Sequence, residues 1–243
     1  MFKIENILFD YGNTLVMDPF RSILELEMQR FLSLFRAKRI QLRKSKLMKA
    51  WMQANNETNY PYISHFYQEH EIVKTALKKL EIHFNQTLPE QLLIMYRDGF
   101  RKIVRSDPRN KTVQEILLIL RSKGLIIGVL SNERRDYLRI GLQLAGLFDL
   151  FNFVLSSEEN GFEKPDTRFF KAGLAKFGLA PQNTLYVGDD PSMDVIPASQ
   201  VGMKTALVVR PIEESTTWRN YKDQESVQTH FRVNNLSELV DLV

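Results

Sequence analysis

The chain has 243 residues, 44% of them hydrophobic and 26% charged, with a net charge of +4. That apolar content suits one large core, or one domain carrying a smaller inserted one, and nothing in it is low-complexity. With no cysteine, disulfides, thiolate metal centres and cysteine nucleophiles are excluded.

In chain order, the N-terminal stretch Met1–Asp10 places charges within a short apolar run. It lacks the long apolar core of a signal peptide. No stretch approaches eighteen uninterrupted apolar residues, so no membrane span is expected and a cytoplasmic setting fits. Ile7-Leu8-Phe9 ends at Asp10 and is followed by the turn signal Gly12-Asn13, which reads as a buried strand with an acid at its carboxyl end.

Residues 17–107 contain helical stretches at Phe20–Phe35, Gln68–Leu80 and Glu90–Val104, with no strand pattern. The basic run Arg36–Lys46 is interrupted by apolar residues and is expected to be a solvated helix face. It has no accompanying nucleic-acid motif, and neither a nucleic acid nor a membrane is expected as a partner. The segment Asn55–Tyr67 reads as a loop and helix start. Trp51, Tyr60, Tyr62, Phe66 and Tyr67 suit a pocket for an aromatic or sugar moiety and a small local core equally well.

Beyond residue 107 the pattern alternates. Helical periodicity over 112–123 precedes the apolar run Leu125–Leu130, which ends at Ser131-Asn132. A helix over 134–146, the short run Phe153–Leu155 and a helix over 167–178 follow. Thr184–Val187 then ends at Gly188-Asp189, a helix is expected over 191–201, and Thr205–Val209 ends at Arg210-Pro211. Buried strands alternating with helices predict an α/β fold, a Rossmann-like parallel sheet with right-handed crossovers. The expected division is a core of residues 1–16 and 108–243 with an all-helical insertion over 17–107. Ligands bind such sheets beyond the strand carboxyl ends, where the strand order reverses. Asp10, Ser131 and Asp189 are all expected there. The histidines at 65, 70, 83 and 230 show no ligand spacing.

Four segments carry a more specific resemblance. Asp10-Tyr11-Gly12-Asn13-Thr14-Leu15 resembles the first motif of the haloacid dehalogenase superfamily, usually Asp-x-Asp-x-Thr before an apolar residue. Ser131-Asn132 is similar to the second, Lys164-Pro165-Asp166 with Phe169-Phe170 to the third, and Val187-Gly188-Asp189-Asp190-Pro191-Ser192-Met193-Asp194 to the fourth. The resemblance covers residue 5 to about 210, and the position of the helical insertion matches a type-1 cap. It implies a magnesium-dependent phosphatase acting on a small phosphorylated metabolite. Asp10 would be the nucleophile, forming an aspartyl-phosphate. The Mg2+ ligands would be Asp10, the Gly12 carbonyl and Asp189, with Asp194 as a further acid at the metal. Lys164 would bring fixed positive charge. Ser131 and Asn132 would contact the phosphoryl group, and Thr14 would orient the nucleophile loop.

One position departs from the pattern. Where phosphatases of the superfamily carry a second Asp, two residues after the nucleophile, this chain has Gly12. General acid–base help, worth about a hundred- to ten-thousandfold, is then missing from that position. Another group (Tyr11, Asp18 or Glu133) supplies it, or the substrate has a good leaving group. Alternatively the chemistry differs: a dehalogenase, which leaves the metal-binding pair Asp189 and Asp194 without a purpose, or a phosphonatase using a cap lysine such as Lys44, Lys46, Lys49 or Lys74. A third outcome is a phosphate-binding protein without turnover.

Overall fold

The computed structural model describes residues 3–59, 69–212 and 221–243. Tyr60, Tyr62, His65, Phe66 and Tyr67, weighed above, lie outside the described residues. The chain divides into two compact units: Met1–Met17 with Asp107–Val243, and Asp18–Ser106.

The first unit is built on a six-stranded sheet. Its strands are β1 (Asn6–Phe9), β2 (Ile126–Ser131), β3 (Phe153–Ser156), β4 (Thr184–Gly188), β5 (Lys204–Val208) and β6 (Phe231–Val233). They lie in the order β3-β2-β1-β4-β5-β6, and every neighbouring pair is parallel. Strands covered on both faces need apolar side chains at successive positions rather than alternate ones. Ile7, Leu8 and Phe9 fit that rule, as do Leu185, Tyr186 and Val187, all buried. Leu8, Leu130, Leu155 and Tyr186 share one core cluster with Phe169, Phe170 and Leu174 of a flanking helix.

The strand order reverses at β1, which pairs with β2 on one side and β4 on the other. Phe9 lies level with both Val129 and Val187. The loops after β1, β2 and β4 therefore leave the sheet side by side, at the switch point where such folds bind ligands.

Two differences from expectation concern the ends of elements. The helix anticipated over 191–201 is present through Gln200, but its first turn, Pro191–Val195, is a wide π-helix and only Ile196–Gln200 is α-helical. Beyond residue 210, β6 and the terminal helix Leu239–Leu242 are too short to show a period in the sequence.

The second unit consists, among the described residues, of α1 (Phe20–Ala37), α2 (Lys44–Asn59), α3 (Glu69–Lys79) and α4 (Thr87–Ser106). Helix α1 packs on α4 and α2 packs on α3. α2 runs five residues into the segment Asn55–Tyr67 that was expected to start as loop, and it is held by Leu47, Ala50, Trp51 and Ala54, a buried stripe at helical spacing beneath exposed lysines. Trp51 resolves as core. It is buried, with ring centroids 4.7 Å from Phe31 and 6.2 Å from Tyr96.

Candidate active site

Asp10 directly follows β1, and its backbone N–H donates to the Val187 carbonyl at 2.8 Å, which continues the β1–β4 ladder by one residue. The chain then turns sharply. Leu15 and Val16 both donate to the Tyr11 carbonyl at 3.0 Å, and Asn13 takes a left-handed conformation, φ 57°. Asn is among the few non-glycine residues that accept this conformation readily. Gly12 lies half-buried in the turn.

After β4, Asp190 shapes the second acidic loop. Its Oδ1 accepts from the Ser192 N–H at 2.8 Å, the Met193 N–H at 3.0 Å and the Ser192 hydroxyl at 2.7 Å. The π-turn so formed carries Asp194 back over the strand end, where its Oδ2 accepts from the Asp190 N–H at 3.1 Å. Gly188 makes this possible: a Cβ at that position would lie 2.4 Å from the Asp194 carboxyl.

Lys164 joins the two loops. Its Nζ donates to Asp10 Oδ1 and to Asp194 Oδ1, both at 2.6 Å, and lies 3.3 Å from the Tyr186 hydroxyl. All four side chains are buried. Burial works against the lysine charge, yet the carboxylates of Asp10 and Asp194 outweigh it and hold the ammonium well above its ordinary pKa. Asp194 is pushed up to about 8: burial and the charges of Asp10, Asp189 and Asp190 overcome the help of Lys164. Two carboxylates thus divide one ammonium. Asp10, Asp189 and Asp194 are all buried and can each turn an oxygen to within 4.8 Å of the others. This donor set, made only of carboxylate oxygens in a pocket with surplus negative charge, fits a hard divalent cation such as Mg2+.

The remaining residues singled out in the sequence fall around this centre. Thr14 Oγ1 lies 3.5 Å from Asp189 Oδ1, a long contact. Ser131 is buried at the end of β2, where its hydroxyl accepts from the Glu133 N–H at 3.2 Å. Asn132 is committed to the main chain of Lys164: its Oδ1 accepts from the Lys164 N–H at 2.7 Å and its Nδ2 donates to the Lys164 carbonyl at 2.9 Å. Its geometry thus acts on the lysine's position.

The groups considered as replacement acids each have described surroundings of their own. Tyr11 is buried with its hydroxyl against Gly141 of the helix Arg135–Leu144, where a Cβ would collide with it. Asp18 is exposed and accepts from the Phe20 N–H at the start of α1. Glu133 Oε1 accepts from the Arg134 N–H at 2.9 Å.

The sequence reading missed Tyr221. It is fully buried; its hydroxyl donates to Asp189 Oδ2 and accepts from Asn13 Nδ2 at 2.9 Å. Arg210 was also missed, and its guanidinium donates to the Asn13 carbonyl. No motif spacing points to either; only the fold brings them to the site.

Comparison with known proteins is consistent in direction. A family profile described as haloacid dehalogenase-like hydrolase matches residues 7–208. A glyceraldehyde 3-phosphate phosphatase from Methanocaldococcus jannaschii is 33% identical over 153 residues. The match covers 62% of this chain and only 62% of that protein's own length. Among solved structures, the HAD-hydrolase YfnB from Bacillus subtilis, bound to magnesium, superposes with a TM-score of 0.69 at 17% identity, covering 99% of this chain and 98% of that one. An L-2-haloacid dehalogenase from Xanthobacter autotrophicus does so with a TM-score of 0.68 at 19% identity, covering 98% of each chain. At such identities the structural likeness establishes the fold alone.

Proposed function

The chain belongs to the haloacid dehalogenase-like hydrolase family, and from that premise we propose that it is a magnesium-dependent phosphatase of small phosphorylated metabolites. One observation carries the reading: the buried carboxylates of Asp10 and Asp194 share a single ammonium, with Asp189 beside them. Displacing a halide from carbon needs no such surplus of acids. Attack on a phosphate ester does need a cation, because an anionic nucleophile must approach an anionic centre.

In this reading Asp10, Asp189 and the Gly12 carbonyl would hold Mg2+, with Asp194 as a further acid of the site. When bound, the ion would offset the negative charge of nucleophile and substrate. Asp10 attacks phosphorus through a carboxylate oxygen. As that O–P bond forms, the ester P–O bond breaks and its electron pair leaves with the alcohol oxygen. Lys164 holds Asp10 in place and keeps its own proton. Ser131 donates its hydroxyl to a phosphoryl oxygen, and Asn132 sets the height of Lys164 through its main chain. Water then attacks phosphorus; the Asp10 O–P bond breaks with its electron pair returning to the carboxylate, and inorganic phosphate leaves carrying the water's oxygen, the water's proton passing to phosphate or solvent. Since Gly12 offers no acid, the leaving oxygen takes its proton from water, which favours substrates whose leaving groups are already stable anions. The helical unit Asp18–Ser106 is proposed as the cap that selects among substrates.

The test is release of phosphate from an aryl phosphate and from a panel of phosphorylated metabolites. Release should require Mg2+ and disappear in Asp10→Asn. Halide release that persists in chelator, with no phosphate released, would overturn the proposal. Gly12→Asp should accelerate alkyl phosphates, whose leaving groups need protonation, more than aryl phosphates; equal effects on both would remove the leaving-group argument.

A further inference from the structure

We infer that Tyr221 is a positioning residue for the cation site, fixing the Asp189 carboxylate and the loop that carries Asp10 through one hydroxyl. The inference rests on the metal reading above and adds to it a residue outside all four motif segments.

A phenol hydroxyl has one proton to donate and can accept another. The Asp189 carboxylate can only accept and the Asn13 amide nitrogen can only donate, so the direction of the chain is settled: Asn13 Nδ2 donates to Tyr221, and Tyr221 donates to Asp189 Oδ2. Holding one oxygen of a carboxylate stops rotation about its last bond and fixes where the other oxygen points. At the other end, Asn13 occupies the left-handed turn three residues beyond Asp10. The same hydroxyl therefore links the loop after β1 to the loop after β4, the two loops that supply the carboxylates.

The segment bearing Tyr221 is itself anchored. Tyr221 opens a short 3-10 turn that ends at Gln224. The Gln224 amide pairs with the Arg210 main chain in both directions, accepting from its N–H at 3.1 Å and donating to its carbonyl at 2.9 Å. The Arg210 guanidinium returns to the Asn13 carbonyl. Asn13 is thus gripped at its side chain by Tyr221 and at its carbonyl by Arg210. A tyrosine buried only for packing would need one partner for its hydroxyl; here the partners are a proposed metal ligand and the nucleophile's own turn.

Groups that orient metal ligands typically contribute ten- to a hundredfold in metal affinity. The experiment is calorimetric titration of the full chain with MgCl2 alone, alongside thermal unfolding in chelator. In Tyr221→Phe the ring and its packing stay, the Kd for Mg2+ should weaken about ten- to a hundredfold, and phosphate release should need more Mg2+ while its rate at saturating Mg2+ changes little. A Kd equal to wild type overturns the inference, whatever happens to the unfolding temperature. If Tyr221→Phe does not fold, Asn13→Gly keeps the left-handed turn and removes the donor to Tyr221; it must then weaken Mg2+ binding, and an unchanged Kd again overturns the inference. Failure of the metal reading itself looks different: wild type would take up no Mg2+, and Asp189→Asn would match it.

Discussion

Each of the two units buries acids, and they treat them in opposite ways. In the helical unit, Glu27 is buried and faces two cations: Arg30 at 2.5 Å, which also reaches Asp98 at 3.4 Å, and Lys102 at 2.9 Å. In the sheet unit the ratio is inverted, and Asp10 and Asp194 divide Lys164 between them at 2.6 Å each. A buried carboxylate is tolerable only when its charge is matched. Glu27 is more than matched and is complete as it stands. The acids at the sheet end are under-matched, and Asp194 accordingly keeps its proton up to about pH 8. Burial alone does not mark a functional acid; the shortfall of positive charge around it does.

The strongest way to break this contrast is to remove the lysine. In Lys164→Met the two carboxylates lose their shared cation, and removing one partner of a buried ion pair typically costs about 3–5 kcal/mol. Phosphate release should fall by about a hundred- to a thousandfold. The unfolding temperature should drop sharply in chelator and recover in part when Mg2+ is added. A drop that Mg2+ leaves untouched would mean that no cation enters among these acids.

The pH dependence sharpens the same contrast. Asp194 has a folded pKa of about 8, raised from an ordinary value of 3.8 by burial and by its acidic neighbours. Between those values the folded chain binds a proton that the unfolded chain has released, so this group's contribution to stability declines as pH rises from about 4 to about 8 and then levels off. Mg2+ binding must displace that proton. Its affinity should therefore rise about tenfold per pH unit up to about 8, roughly a hundredfold between pH 6 and pH 8, and flatten above. Titrations in buffers of different ionisation enthalpy should show close to one proton released per ion at pH 6. A flat affinity across this range would mean that Lys164 alone satisfies both acids.

Gly188 offers a smaller perturbation. Its φ is unremarkable for any residue, but an added Cβ would meet the Asp194 carboxyl at 2.4 Å. Both oxygens of Asp194 are already engaged, by Lys164 and by the Asp190 N–H, so the carboxyl cannot yield without losing a partner. Overpacking of this kind costs about 1–3 kcal/mol. Gly188→Ala should lower the unfolding temperature and reduce activity by a similar energy, about five- to a hundredfold. An unchanged rate would show that the position of Asp194 is not critical.

What could be read from the sequence follows from how local each feature is. Asp10, Ser131 and Asp189 were placed correctly at strand ends because an apolar run that stops at a polar residue is a local signal. Helix α2 was obscured because its lysines interrupt a stripe, Leu47, Ala50, Trp51 and Ala54, that becomes evident only once it is buried. The commitment of Asn132 to the Lys164 main chain spans 32 positions, and the bond from Tyr221 to Asp189 also spans 32. Neither leaves a mark in spacing. The motif segments supplied Asn132 without its role, and Tyr221 lies in none of them, because a side chain that aims another is recruited from wherever the fold passes.

The gentlest test leaves the site alone and removes the matched acid. Glu27→Gln keeps the shape of the side chain and deletes its charge, so Arg30 and Lys102 each lose a charge-assisted hydrogen bond. Both cations are about half exposed, with side-chain accessibilities of 46% and 58%, and water can take over much of their solvation, which holds the cost to about 1–2 kcal/mol. Glu27 bonds only within α1 and to α4 among the described residues. Mg2+ affinity and the rate of phosphate release should accordingly stay within twofold of wild type while the unfolding temperature falls by a few degrees. If activity fell as far as stability, acids matched and unmatched would be equally tied to function, and charge shortfall would lose its value as a guide to the site.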